Sequence, residues 1–283
     1  MEVIVLGAVT SSVYALLAVG FTLIFGVARI INLAHGAFYA VAGYAAYILI
    51  NLGGWPVLPA MLAAVLITAL FGVAVDRVFV RPLRHSHMAV LMITLAISMA
   101  VEQGLTVAFL GEARSLPPLI DGKVSVLGVD VAAQRLLTLL VSVVLIGALW
   151  LFIQRSRLGA AILAISQDPE AAEYVGIPAE RIFALVMGLS AALAASASVL
   201  ASPFLSVQPS MGLLPMVKAF CIVIIGGLGS IPGSILAACL LGFTETFVAF
   251  HISSTWSEVI SVAAVFAMLA LRPAGLLGKR EAF

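Results

Sequence analysis

Stretches of roughly twenty apolar residues recur along this chain with short polar joints between them. They lie near 3–25, 34–51, 57–76, 88–110, 134–153, 182–202, 214–228, 233–250 and 256–272. A bilayer-spanning helix needs about 20 mostly apolar residues, because lipid leaves no other partner for the backbone N–H and C=O groups. The pattern therefore predicts an all-α polytopic membrane protein. A spanning barrel would show alternating segments of roughly ten residues instead. Charged residues make up 10% of the chain against roughly 25% in a soluble domain. The run at 214–228 is short and ends in Gly226, Gly227 and Gly229, which predicts a broken or re-entrant helix. The expectation is eight or nine membrane segments forming one transmembrane domain over 1–283. The formal net charge of +1 gives no electrostatic reason for a nucleic-acid partner. No basic n-region or cleavage site accompanies the first run, so residues 3–25 read as a true membrane helix.

Lys and Arg in short loops set orientation. The joints at 26–33, 77–87, 154–181 and 272–283 hold Arg29, Arg77, Arg81, Arg84, Arg155, Arg157, Arg181, Arg272, Lys279 and Arg280, ten of the fourteen basic residues. Those joints and the C-terminus are expected in the cytoplasm. The N-terminus is then outside if all nine runs cross, and inside if one does not. The largest loop on the opposite side, 111–133, contains alternating residues at 121–131 with Gly122 and Gly128 as turn points. This predicts a small β-hairpin, either a structural cap or a contact surface for an external partner.

Ser166–Arg181 (SQDPEAAEYVGIPAER) is one of the few charge-dense stretches. Asp168 suits an N-cap, Pro169 a first helical position, and Gly176 a left-handed residue just past a helix end. The implied helix of about two turns is too short to stand alone in water. Ala171, Ala172 and Val175 are expected on one face, with Glu170 and Glu173 facing away. Small apolar residues on such a helix suit a groove on another protein. The alternative, a helix lying on lipid, fits poorly with three acids and no Lys inside it.

Small residues let membrane helices approach closely. Gly229, Gly233 and Ala237 are spaced as one ridge, and Ser230, Ser234, Ala238 and Gly242 as another. Ser190, Ala194, Ser198 and Ser202 repeat the device. Packing is the plain reading, and a sliding contact beside a pathway the sharper one. Ionisable residues inside apolar runs cost on the order of 2.5–3.5 kcal/mol each at a helix centre, so Glu102 with Gln103, Lys218 and Glu245 mark a pathway or a buried partner, the plainer reading being that they sit near the interface or pair within the bundle. Thr10, Ser11, Ser12 and Tyr14 form a polar patch in the first run. It would line a hydrated cavity or bond back to helix carbonyls.

No catalytic set and no metal set is visible. Gly226–Gly233 (GGLGSIPG) lacks the Gly-Lys-Ser/Thr ending of a phosphate loop, and Gly278-Lys279 is followed by Arg280. The histidines at 35, 85, 87 and 251 form no HExxH pattern. Cys221 and Cys239 both fall in apolar runs and read as small buried residues. A stand-alone secondary transporter would be expected to show more midplane carboxylates and an internal repeat. A membrane enzyme would need a nucleophile–base or metal set.

The EAA of 170–172 followed by Gly176 resembles the coupling loop of ABC-importer permeases. INLAHGAF (31–38), GGLGSIPGSILAACLLG (226–242) and RPAGLLG (272–278) together resemble branched-chain amino-acid permeases of the LivH type. The resemblance runs over essentially the whole chain. It implies a non-enzymatic permease in the bacterial plasma (inner) membrane that pairs with a second, related permease. It also implies two cytoplasmic ATPase subunits that hold ATP and Mg, and an external binding protein that delivers substrate. No cofactor is implied on this chain. Asp168, Glu170, Ala171, Ala172, Glu173 and Gly176 would form the ATPase-coupling helix. Related permeases carry urea, amides, sugars or nucleosides, so the cargo stays open between those and branched-chain amino acids.

Overall fold

In a computed structural model of the chain, residues 2–126, 128–272 and 275–277 are described; Lys279, Arg280 and parts of the 272–278 motif lie outside them. All nine apolar runs form helix. The elements are α1 (Glu2–Ala28), α2 (His35–Tyr47), α3 (Val57–Val75), α4 (Arg81–Leu83), α5 (His87–Phe109), β1 (Lys123–Val126), β2 (Val129–Ala132), α6 (Ala133–Arg155), α7 (Arg157–Gln167), α8 (Pro169–Tyr174), α9 (Ala179–Ala201), α10 (Leu213–Gly226), α11 (Ile231–His251) and α12 (Ser254–Leu271). π-helical turns extend α2 through Ile48–Leu52 and join α3 to α4 through Asp76–Val80. Among the described residues, seven helices are long and apolar enough to cross a membrane. The protein is an all-α polytopic membrane protein. The expected eight or nine segments exceed that seven because α2 itself has 13 residues and α12 runs past the residues searched.

Three helices make the centre. α1 and α9 are buried along most of their length. α1 and α11 run antiparallel with almost no side chain between them. Ser11 faces Gly242, the Thr22 and Ser234 hydroxyls meet at 2.6 Å, and Gly26 faces Gly229. A Cβ on Gly242 would stand 2.7 Å from the Ser11 Cα. Ser234 and Gly242 thus pack against α1, while Gly233 faces the Gly226 carbonyl of α10. Gly229 and Ser230 precede the helix, although Gly229 still meets Gly26. Gly229 (φ +80°) turns the chain, and Ser230 caps α11 by accepting from the Gly233 N–H. The N-cap at Ser230 starts the helix at Ile231, two positions later than the ridge spacing from Gly229 implied.

α3 packs antiparallel on α9, where a Cβ on Gly72 would lie 2.6 Å from the Ala191 Cβ. α2 runs parallel to α9: Asn32 meets Met187, His35 meets Ser190, and Gly43 faces Ser198. Ser190, Ala194, Ser198 and Ser202 are all buried.

The link from α1 to α2 is the irregular part of the fold. The His35 ring nitrogen Nε2 bonds the Leu17 carbonyl, eleven residues before the end of α1. At 1.5 Å per residue, α2 begins about 16 Å back inside the bundle. Residues 29–34 return the chain over that distance, and their backbone must be satisfied locally. The Arg29 N–H bonds Phe25 O, Leu33 N–H bonds the Thr94 hydroxyl, and Ala34 N–H bonds the Asn32 side-chain oxygen. Nonhelical backbone at membrane depth is tolerated only when so enclosed.

The two ends of the bundle differ. At one end, β1 and β2 form the expected antiparallel hairpin, with Lys123 opposite Ala132. Val131 is buried beneath it, and Arg114 pairs in a β-bridge with Val207. At the other end, Leu276 and Leu277 N–H groups bond the Ile225 and Gly226 carbonyls, covering the end of α10. Cys221 is buried. Cys239 is exposed on the outer side of α11, against the expectation of burial, because α1 covers the opposite face through Ala238 and Gly242.

Candidate functional site

Three places hold polar groups that a membrane bundle does not need for packing.

The first is at the centre. Tyr14 lies midway along α1, Lys218 one turn and a half into α10, and Glu245 on α11. The Lys218 ammonium donates to the Glu245 Oε2 at 2.8 Å and to the Tyr14 hydroxyl at 2.8 Å. The Tyr14 hydroxyl donates to the same Oε2 at 2.6 Å. Glu245 is 4% exposed. An ammonium, a carboxylate and a phenol satisfying one another is how a lipid-embedded bundle carries charge at depth. The two charges are therefore paired within this chain. Ser11 and Ser12 bond the Cys239 and Val9 carbonyls, so the polar patch of the first run is used for packing. Thr10 is half-buried beside it.

The second is a small cavity at the start of α2. α2 and the 3₁₀ turn Pro209–Gly212 before α10 meet backbone to backbone. A Cβ on Gly36 would lie 3.0 Å from the Met216 Cβ. Gly36, Ala37, Ala40, Ser98, Glu102 and Gly212 enclose room for about one water molecule. Glu102 is half-buried, and its carboxylate has no hydrogen-bond or ion-pair partner among the described residues. α5 carries it on a helix whose surface is otherwise mostly exposed. A carboxyl group within an apolar run is costly to place against lipid, which marks this face of α5 as the candidate for a covered or hydrated surface.

His35 stands just behind this cavity. It is fully buried, with Nε2 on the Leu17 carbonyl at 3.1 Å and Nδ1 3.3 Å from the Ser190 hydroxyl, edge-on to Phe21. The neutral ring donates from Nε2 and accepts at Nδ1. A motif search for metal or catalytic histidines passes over such a residue. The signal that could have found it was a His directly after an Asn-Leu-Ala turn, where a new helix starts.

The third is the α7–α8 excursion. Arg157–Gln167 is a helix of its own, which periodicity alone did not assign. Asp168 caps α8 by accepting from the Ala171 N–H at 3.0 Å, and Pro169 takes the first helical position. At the far end Gly176 has φ +88°, its N–H bonds Glu173 O, and the Ile177 N–H bonds Ala172 O. That is a complete Schellman end. Ala172 is 4% exposed and packs inward with Ile177, so it is not on the outward face with Ala171 and Val175. The Schellman contact turns Ala172 under and leaves Tyr174 (91% exposed) and Val175 outermost. Glu170, Ala171 and Glu173 are exposed as expected.

Residues 3–269 match the family model described as the permease component of branched-chain amino acid transport systems. The chain is 33% identical over 296 residues to the high-affinity branched-chain amino acid transport system permease protein BraD of Pseudomonas aeruginosa, covering 99% of this chain and 96% of that one. It is 32% identical over 291 residues to LivH of Escherichia coli, covering 97% and 94%. A solved chain of PsaBC from Streptococcus pneumoniae in complex with Fab superposes with a TM-score of 0.53 over 97% of this chain and 93% of that chain, at 14% identity; this shows the fold alone.

Proposed function

The chain belongs to the branched-chain amino acid transport system permease family, and we propose that it is the membrane subunit of an ABC importer for leucine, isoleucine, valine or related amino acids. The observation that carries the reading is α8. A helix of six residues, capped at both ends, holds Tyr174 and Val175 almost fully clear of the bundle. Apolar residues fixed in that way on a charged loop serve docking. In this reading two soluble ATPase subunits, which hold ATP and Mg, grip α8 of this chain and of a second, related permease. An external binding protein delivers the substrate at the hairpin end. This chain hydrolyses nothing itself.

The same reading places the joints after α1, before α5, at α7–α8 and after α12 in the cytoplasm, as their basic residues dictate. All nine runs then cross or enter the membrane, with α2 and α10 as partial-depth helices, and the N-terminus faces outward. The plasma membrane of a bacterium is the expected location. The lumen for substrate runs along the Glu102 face of α5, against the second permease.

A cysteine at Tyr174, introduced into the assembled complex in membranes, is expected to crosslink to the ATPase subunit. Absence of a crosslink from positions 170, 171, 174 and 175 alike would refute the docking role. Purified chain alone in liposomes is expected to show no uptake of radiolabelled leucine, and uptake would favour a stand-alone transporter.

A further inference from the structure

The cytoplasmic end of α3 is built around a charge that packing did not require. Asp76, 1% exposed, opens the π-turn that joins α3 to α4. An Arg84 terminal nitrogen donates to its Oδ1 at 2.6 Å. The Arg84 guanidinium carbon also lies over Phe183, 4.1 Å from the ring centroid. Phe183 is in the second turn of α9, and Glu180 in the first turn pairs with Arg81. Two arginines of the α3–α4 junction therefore grip the start of α9 from one side.

The start of α9 is in turn rigidly joined to α8. Only Ile177 and Pro178 separate Gly176 from α9. Ile177 is bonded back to Ala172, and the proline ring fixes φ. Displacement of α8 thus moves the first turns of α9 with it. Beyond the grip, Gly72 and Gly188 bring α3 and α9 into backbone contact and leave no slack between them. Two residues past Arg84, Ser86 caps α5, the helix that carries Glu102.

We propose that Arg84, held between Asp76 and Phe183, is the positioning residue through which movement of α8 reaches α3 and α5. This rests on α8 being the docking element. The pairing at the joint is incomplete. Arg84 pairs by one bond, while its Nε–H and the Asp76 Oδ2 have no partner among the described residues. A guanidinium and a carboxylate can also pair through two bonds, and these are the two atoms such a fork would use. Lysine supplies the charge but neither the fork nor the stacking plane.

The test uses the complete complex, purified through a tag on this chain and reconstituted with binding protein, with radiolabelled leucine as probe. Arg84→Lys and Phe183→Leu are compared with the parent for leucine moved per ATP hydrolysed. Loss of the stacked contact, worth about 1–2 kcal/mol, is expected to lower that ratio by roughly five- to thirtyfold in both variants, with ATPase subunits still bound. A merely structural residue would reduce complex yield and leave the ratio intact. An unchanged ratio in Phe183→Leu overturns the proposal, including where Arg84→Lys fails to assemble. The Tyr174→Cys crosslink in the same preparation separates the two levels. Crosslink present with ratio unchanged refutes the joint alone, and crosslink absent refutes the docking reading and the joint with it.

Discussion

The Lys218 ammonium and the Glu245 carboxylate, 27 residues apart, meet at 2.8 Å beside the midpoint of α1, with the Tyr14 hydroxyl bonded to both. This contact fastens the short helix α10 to the two long helices that flank it. Removing one member takes away the ion pair around which the enclosed other is placed. Lys218→Met or Glu245→Gln alone is expected to destabilise the protein by about 3–5 kcal/mol, while Lys218→Met with Glu245→Leu costs much less. Thermal unfolding of the detergent-solubilised variants decides this. Equal losses in the single and double variants would show that the pair is not the binding element.

Close helix contact gives a second expectation. Gly242→Val places carbon where the Ser11 backbone already is, and is expected to cost about 1–3 kcal/mol or to shift α1. Gly147, in the outer part of α6, has nothing within 4 Å of its built Cβ. Gly147→Val should be nearly neutral in the same melting assay.

Gly176 separates backbone strain from crowding. Its built Cβ meets nothing within 4 Å, yet its φ is +88°. Gly176→Asn is expected to be tolerated, because Asn enters the left-handed region readily. Gly176→Val should cost on the order of 1–3 kcal/mol locally and impair leucine uptake more than membrane content. Uptake at parental level in Gly176→Val would show that the Schellman end is dispensable.

Glu102 makes no contact that the fold depends on. Glu102→Gln is therefore expected to accumulate in the membrane normally. If the carboxylate faces the substrate route, uptake of leucine by the reconstituted complex falls about tenfold, the equivalent of one charge-assisted hydrogen bond. Normal uptake would remove Glu102 from the route.

Asn32→Ala tests the return segment. The Ala34 N–H loses its partner in a buried position, a loss of about 1–3 kcal/mol. Loss of stability close to that of a surface substitution would show that another group takes over the cap.

Much of this was readable from the chain. The apolar runs became helices because lipid permits little else. Asp168, Pro169 and Gly176 became the caps their chemistry implies, since a cap is decided within a few residues. The hairpin at 123–132 followed from local alternation. What escaped was nonlocal. Nothing near Lys218 in the sequence points to Tyr14, 204 residues away. Arg84 counted only as loop charge until Asp76 was found beneath it. Ala172 was assigned outward because a helical wheel has no knowledge of which side the bundle lies on. The place of α2 was equally hidden, because an apolar run states its length and not the depth at which it starts.

That depth bears on how the chain is made. The return segment 29–34 emerges early in synthesis, but the Thr94 hydroxyl that satisfies Leu33 lies 61 residues later, and the Ser190 and Met187 side chains that hold His35 and Asn32 lie 155 residues later. Until those residues have been made, polar backbone in this segment has no lasting place in lipid. α2 is thus expected to take its final place only after more than half of the chain is translated. Its seating is expected to follow the synthesis of α9 rather than to precede that of α3.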